Sequence, residues 1–162
     1  MDTVRKQERY GGRLSMDHFT YEEYLEQYGK LVYTNVGISM LPLMREGKDL
    51  FYVEKKGQER CRKYDVVLYR RPPASYVLHR IIAVREQDYV IRGDNSVHKE
   101  YGITDADIIG VMTGFVRGES KRVHSTAEIP YQLYSRFWVA IAPLRITWKR
   151  VKGKLKGMRH EA

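Results

Sequence analysis

A single cysteine, Cys61, is all the thiol this chain of 162 residues carries. That excludes an internal disulfide framework and any cysteine-based metal cluster, and leaves a buried or idle thiol. Metal-ligand spacing is missing too: none of the five histidines stands in an HExxH-like pattern, so no zinc site is expected. Long apolar runs are also lacking. The longest, Phe137-Trp-Val-Ala-Ile-Ala-Pro-Leu144, falls well short of the roughly twenty residues that span a bilayer. The residues before Ser39 show neither such a run nor a signal-peptide pattern, so the sequence predicts an unanchored, cytoplasmic protein. Repeats and low-complexity tracts are absent, and the length suits one core with small appendages.

Positive charge is in excess. Lysine and arginine number 29 against 20 acidic residues, a net charge of +9, and the stretch Lys149–Arg159 alone supplies six positive charges. Such a cluster attracts anionic lipid or nucleic acid. With Trp138 and Trp148 beside it, an interfacial helix on an anionic membrane stands level with a solvated basic tail, and nucleic acid below both. Gly153 and Gly157 weaken any helix there.

The chain divides into a polar, flexible N-terminus over residues 1–15, a packing helix over 16–32, a β-rich core over 33–120 and a helical basic extension over 121–162. Thr20 and Glu23 form a capping-box pattern, followed by Tyr21, Tyr24, Leu25 and Tyr28 at helical spacing. Short β-branched and aromatic runs then follow: Leu31–Tyr33, Leu50–Val53, Val66–Tyr69, Tyr76–Val84, Tyr89–Ile91 and Ile108–Val116. Arg70-Arg-Pro-Pro-Ala-Ser75 reads as a connection between two of them. Six or seven closely spaced strands without intervening helices predict a mainly β, mostly antiparallel, coiled fold.

Three patches carry chemistry. Gly37-Ile-Ser-Met-Leu-Pro42 is a Ser-Met-x-Pro box, His79 lies within the strand-like Tyr76–Arg80, and Asp94 sits in the turn-like Arg92-Gly-Asp-Asn95. A serine hydroxyl needs a base during attack on a carbonyl, and neutral imidazole is that base near pH 7. A carboxylate on its other nitrogen fixes the tautomer and stabilises the imidazolium. His79 alternates with Val77 and Ile81 on one strand face, and a hairpin turn at 92–95 would bring Asp94 beside it. Arg80 and Arg92 read first as exposed salt-bridge partners and second as groups that pin carboxylates or substrate carbonyls, while Asp65 and Asp107 read as strand starts or turn caps.

Together with Arg45-Glu-Gly-Lys-Asp49, Tyr64-Asp-Val-Val67 and Asp107-Ile-Ile-Gly-Val111, these boxes resemble those of signal peptidases and LexA-type self-cleaving repressors over roughly residues 33 to 118. The histidine followed by arginine is similar to the endoplasmic-reticulum and archaeal branch, where histidine replaces the lysine base. The resemblance implies Ser39 as nucleophile and His79 as general base, with Asp94 favoured as the orienting carboxylate and Glu100 second. It implies no cofactor and a peptide or precursor-protein substrate bound as an added strand. Two departures are visible: Gly37 stands where bacterial members often carry an oxyanion-binding hydroxyl, and the usual membrane anchor before the serine box has no counterpart here. A catalytically silent peptide- or membrane-binding module is the alternative. A LexA-like self-cleaving regulator is a further one, opposed by the lack of Ala-Gly and Cys-Gly bonds and by the single helix expected before the core.

Overall fold

The computed structural model of the chain describes residues 20–73 and 75–158. The flexible stretch expected over residues 1–15 lies outside them, as do His18 and His160. Helix α1 (Tyr21–Tyr28) opens with the capping box: Thr20 Oγ1 accepts from the Glu23 amide, and the Glu23 carboxylate accepts from the Thr20 amide at 2.7 Å. Gly29 ends the helix with φ of 70°, in the left-handed region that glycine enters without strain, and donates its amide to the Leu25 carbonyl. That turn leads straight into β1 (Lys30–Thr34), so the helix is shorter than the span of 16–32 expected for it. Leu25 is its buried anchor, and α1 lies against β1, β2 and β7.

Seven further strands follow: β2 (Leu50–Lys55), β3 (Val66–Arg71), β4 (Ser75–Val84), β5 (Tyr89–Arg92), β6 (Glu100–Ile103), β7 (Ile108–Val116) and β8 (Val123–Ser125). They form one antiparallel sheet in the order β1-β2-β7-β3-β4-β5-β6, with β8 also on β7. The described fold is mainly antiparallel β with three helices, the last two being α2 (Ile129–Ala140) and α3 (Ala142–Met158). All six β-branched runs fall within strands. Two boundaries need correction, because β1 begins before residue 33 and β8 lies beyond residue 120; the sheet overruns the core drawn at 33–120 on both sides. Arg71 is likewise the last residue of β3 rather than part of the connection.

Register breaks at Tyr52/Val53, Leu68/Tyr69 and Ile81/Ala83 add local twist. Side chains alternate between the faces of a strand, and β3 shows the result: Val66 and Leu68 join one apolar cluster, with Leu25, Met40, Leu43, Met44 and Leu78, while Val67 and Tyr69 join another with Ile81, Tyr89 and Ile91. Cys61 lies in the second cluster, where burial pushes its thiol up to about 11, fitting an inert thiol. No helix among the described residues is long and apolar enough to cross a membrane.

Candidate active site

Ser39 stands on a loop braced from both ends. The Asp49 carboxylate, wholly buried, accepts from the Arg45 amide at 2.7 Å, the Arg45 guanidinium at 2.7 Å and the Gly118 amide at 2.8 Å. Its burial favours protonation, but the Arg45 and Gly118 donors outweigh that and hold it below the usual aspartate range. Asn35 donates its amide to the Asp49 carbonyl and its side chain to the Gly37 carbonyl, at 3.0 Å each. Gly37 takes a φ of 84°, and its amide donates to Glu46 at 2.9 Å. Ser39 then opens a turn in which the Met44 amide donates to the Met40 carbonyl at 3.0 Å, and Met40, Leu43 and Met44 are buried in the core. Ser39 thus stands on a turn rooted in the core by its apolar neighbours, with no helix between it and the next strand.

His79 lies on β4 opposite Val67 and is 6% exposed. Its Nδ1 is 3.0 Å from Glu100 Oε1 and 3.3 Å from the Tyr69 hydroxyl. Arg71 grips the same carboxylate twice, Nε to Oε2 at 2.9 Å and Nη2 to Oε1 at 2.5 Å. Burial raises the proton affinity of Glu100, but Arg71, Tyr69 and His79 more than offset it, so the carboxyl titrates below the ordinary glutamate range. An ionised Glu100 can only accept, so His79 Nδ1 carries the proton and Nε2 is left with its lone pair. Burial also lowers the imidazole's proton affinity; Glu100 opposes this in part, and the net shift is downward. His79 is therefore a neutral base at pH 7.

The free nitrogen faces the serine loop. A side chain starting at Gly93 would lie 2.9 Å from His79 Nε2, 2.8 Å from the Ser39 carbonyl oxygen and 2.7 Å from Ser96 Oγ. Only glycine leaves room for His79 and the Ser39 loop to converge there. Gly93→Ala is expected to cost about 1–3 kcal/mol of stability by overpacking, measured by urea unfolding, and to move the His79 ring resonances; an unchanged ring environment would contradict this geometry. The Asn95 amide donates to the Ser39 carbonyl at 2.7 Å, and the Asn95 side chain donates to the Ile38 carbonyl at 3.1 Å. Ser39 Oγ itself makes no hydrogen bond to His79, or to any other described residue. The Ser39 amide also lacks an acceptor among the described residues.

Asp94 makes no hydrogen bond to His79, acting on it only as a nearby negative charge. Its two oxygens pair with Arg80 Nε and Nη2, each at 2.8 Å, and Oδ2 also accepts from the Tyr134 hydroxyl at 3.2 Å. The reason is strand parity. His79 and Arg80 are neighbours and face opposite sides of β4; Arg80 pairs with Arg92, and Asp94, two residues on, falls on the face of Arg80. Glu100 pairs with Ile91, which pairs with Ile81, and so lies on the face of His79. Arg80 and Arg92 are not exposed salt-bridge residues either: they are 0% and 6% exposed. Arg80 Nη1 donates to the Tyr64 carbonyl at 3.0 Å, the Tyr131 hydroxyl at 3.3 Å and Ser135 Oγ at 2.7 Å.

The C-terminal helices close on the same turn. Trp138 Nε1 and Arg145 Nη1 each donate to the Asp94 carbonyl at 3.0 Å, and Lys149 Nζ donates to the Asn95 carbonyl at 2.6 Å. Trp138 is thereby tied to the Asp94 turn and half-buried. On the other side of Ser39 and His79 opens a groove of about 850 Å³, within the range of roughly 300–1,000 Å³ typical of ligand clefts. Tyr33, Phe51, Leu68 and Tyr76 give it apolar walls, and Ser39, His79, Arg71 and Glu100 share its lining. Arg71 and Tyr69 escaped the sequence reading; their signal is the two-residue alternation from Val67, which faces His79.

Comparisons of the chain with protein-family models, with curated proteins and with solved structures return no match.

Proposed function

We propose that the protein is a serine endopeptidase resembling the histidine-type signal peptidases, cleaving a peptide or precursor protein at or near the cytoplasmic face of a membrane. One observation carries this reading: His79 is bonded through Nδ1 to an ionised carboxylate while its free nitrogen faces the Ser39 turn across Gly93. Ser39 Oγ attacks the substrate carbonyl as its proton passes to His79 Nε2, and the Ser39 amide meets the oxyanion. The intermediate collapses as the C–N bond breaks, and the leaving amine takes the proton from His79. Water, activated by the same imidazole, then hydrolyses the acyl-enzyme. Glu100 holds the imidazole in the required tautomer and stabilises its charged form; Arg71 holds Glu100. The groove supports binding of an extended peptide, with Tyr33 and Thr34 at the end of β1 on its wall.

A second reading, a silent peptide-binding module, draws on the missing hydrogen bond between Ser39 Oγ and His79. One experiment separates the two. A diverse peptide pool is incubated with the parent protein and with Ser39→Ala, and new termini are located by mass spectrometry. Cuts made by the parent alone are expected; identical peptide profiles with measurable peptide retention in both would establish the binding module. For a peptide that is cut, the acid limb of kcat/KM reports the free His79. Protonation abolishes its base function, and its shift is downward, so the limb is expected below about pH 6.5. A limb above that value would remove His79 from the role of base.

A further inference from the structure

The C-terminal helices carry apolar residues that the fold does not use. On α3, Leu144, Trp148 and Val151 are 75%, 66% and 45% exposed, spaced i, i+4, i+7 along one stripe. On α2, Ile129, Leu133 and Phe137 form a second exposed stripe at i, i+4, i+8. The inward side of each helix is already committed, through Trp138 on α2 and Arg145 and Lys149 on α3, to the turn at Asp94 and Asn95. The outward stripes therefore do not bind the helices to their own sheet.

Charge decides what covers them. Arg145 spends its hydrogen bonds on backbone carbonyls and Lys149 on the backbone and side-chain oxygens of Asn95, whereas Arg136, Arg150 and Lys152 are exposed and unbonded among the described residues. No acidic residue occurs between Ile129 and His160. A second copy of this chain would bring the same positive charges face to face. A nucleic acid would neutralise the charge but leave Leu144, Trp148 and Val151 in water. An anionic bilayer satisfies both features: its headgroups meet the cations while the apolar stripe enters the acyl boundary, where tryptophan is well suited.

We infer that α3 is an interfacial helix that docks the protein on an anionic lipid bilayer through Leu144, Trp148 and Val151, with Arg150 and Lys152 at headgroup level. The inference rests on the membrane part of the proposed function and not on its peptidase part. Docked in this way, α3 keeps its Arg145–Lys149 side on the catalytic turn, so the site is held close to the membrane surface.

The test is flotation of the full chain with vesicles of phosphatidylcholine alone and of phosphatidylcholine mixed with phosphatidylglycerol, following tryptophan emission. Binding to the mixed vesicles only, with a blue shift and with weakening as salt is raised, is expected. Leu144→Ser/Trp148→Ser and Arg150→Glu/Lys152→Glu should each reduce partitioning about tenfold or more, at unchanged thermal stability because these side chains are exposed. Absence of binding to mixed vesicles, equal binding to both vesicle types, or unaltered binding by both double variants would overturn the inference. So would a dimer that dissociates in Leu144→Ser/Trp148→Ser, or binding to a DNA duplex that excludes the vesicles. Ser39→Ala is expected to float like the parent, so loss of cleavage and loss of docking are read separately.

Discussion

Glu100→Gln is expected to lower kcat by about a thousandfold to ten-thousandfold, the scale of loss when the orienting carboxylate of a serine triad becomes an amide. Both carboxylate oxygens accept from Arg71, and one of them also accepts from His79. A glutamine has a single acceptor oxygen, so its amide group must oppose an Arg71 donor or present a donor to His79 Nδ1. The second arrangement places the imidazole proton on Nε2 and disables the base. Stability should change by no more than about 1 kcal/mol, because Arg71 is 42% exposed and water can replace the lost bonds. Glu100 raises the proton affinity of His79, so its removal should carry the His79 titration to still lower pH, visible by NMR even where turnover is weak. Parental kcat in Glu100→Gln would end the assignment.

Asp94→Ala should fail in a different way, costing about 3–5 kcal/mol of folding stability in urea unfolding. The Arg80 side chain is 0% exposed and that of Asp94 is 2%. Alanine leaves a buried guanidinium with three uncharged acceptors and no carboxylate bonded to it. Removing the charge as well, in Asp94→Ala/Arg80→Met, is expected to recover much of the loss, since apolar replacement of a buried pair is often neutral or better. A cost below about 1 kcal/mol for the single variant would show that water reaches Arg80. Together, the two carboxylate variants separate chemistry from scaffold: one loses rate at near-constant stability, the other loses stability first.

The sequence reading mistook these roles because the sheet register is not written locally. β1 to β5 and β7 were legible as β-branched and aromatic runs bounded by turn residues. β6 was not: Glu100-Tyr-Gly-Ile103 has a glycine, two exposed residues and one buried apolar residue, so it offers no alternation to read. That missed strand is the one that carries Glu100 to His79. The resemblance therefore put the Gly-Asp-Asn aspartate first and Glu100 second, and the parity that sends Asp94 to the opposite face depends on the Arg80–Arg92 pairing. The local shape of the loop around Ser39 rests on short-range features instead: a glycine where φ is positive, apolar residues three and four apart, and Asp49 tying the loop.

The buried Arg80 also sets an order of events. Its partners are Tyr64, Asp94, Tyr131 and Ser135, so two of them come from a helix that follows every described strand. A polypeptide leaving the ribosome has all the material for its sheet before Ser135 is synthesised, yet at that stage the guanidinium lacks the hydroxyls that complete its shell. Trp138, Arg145 and Lys149, which hold the backbone of the turn beneath Ser39, are made later still. The corner at Ser39 is therefore among the last parts of the nascent chain to set, and a partly synthesised protein holds Ser39 before it holds the helices that secure the turn beneath it.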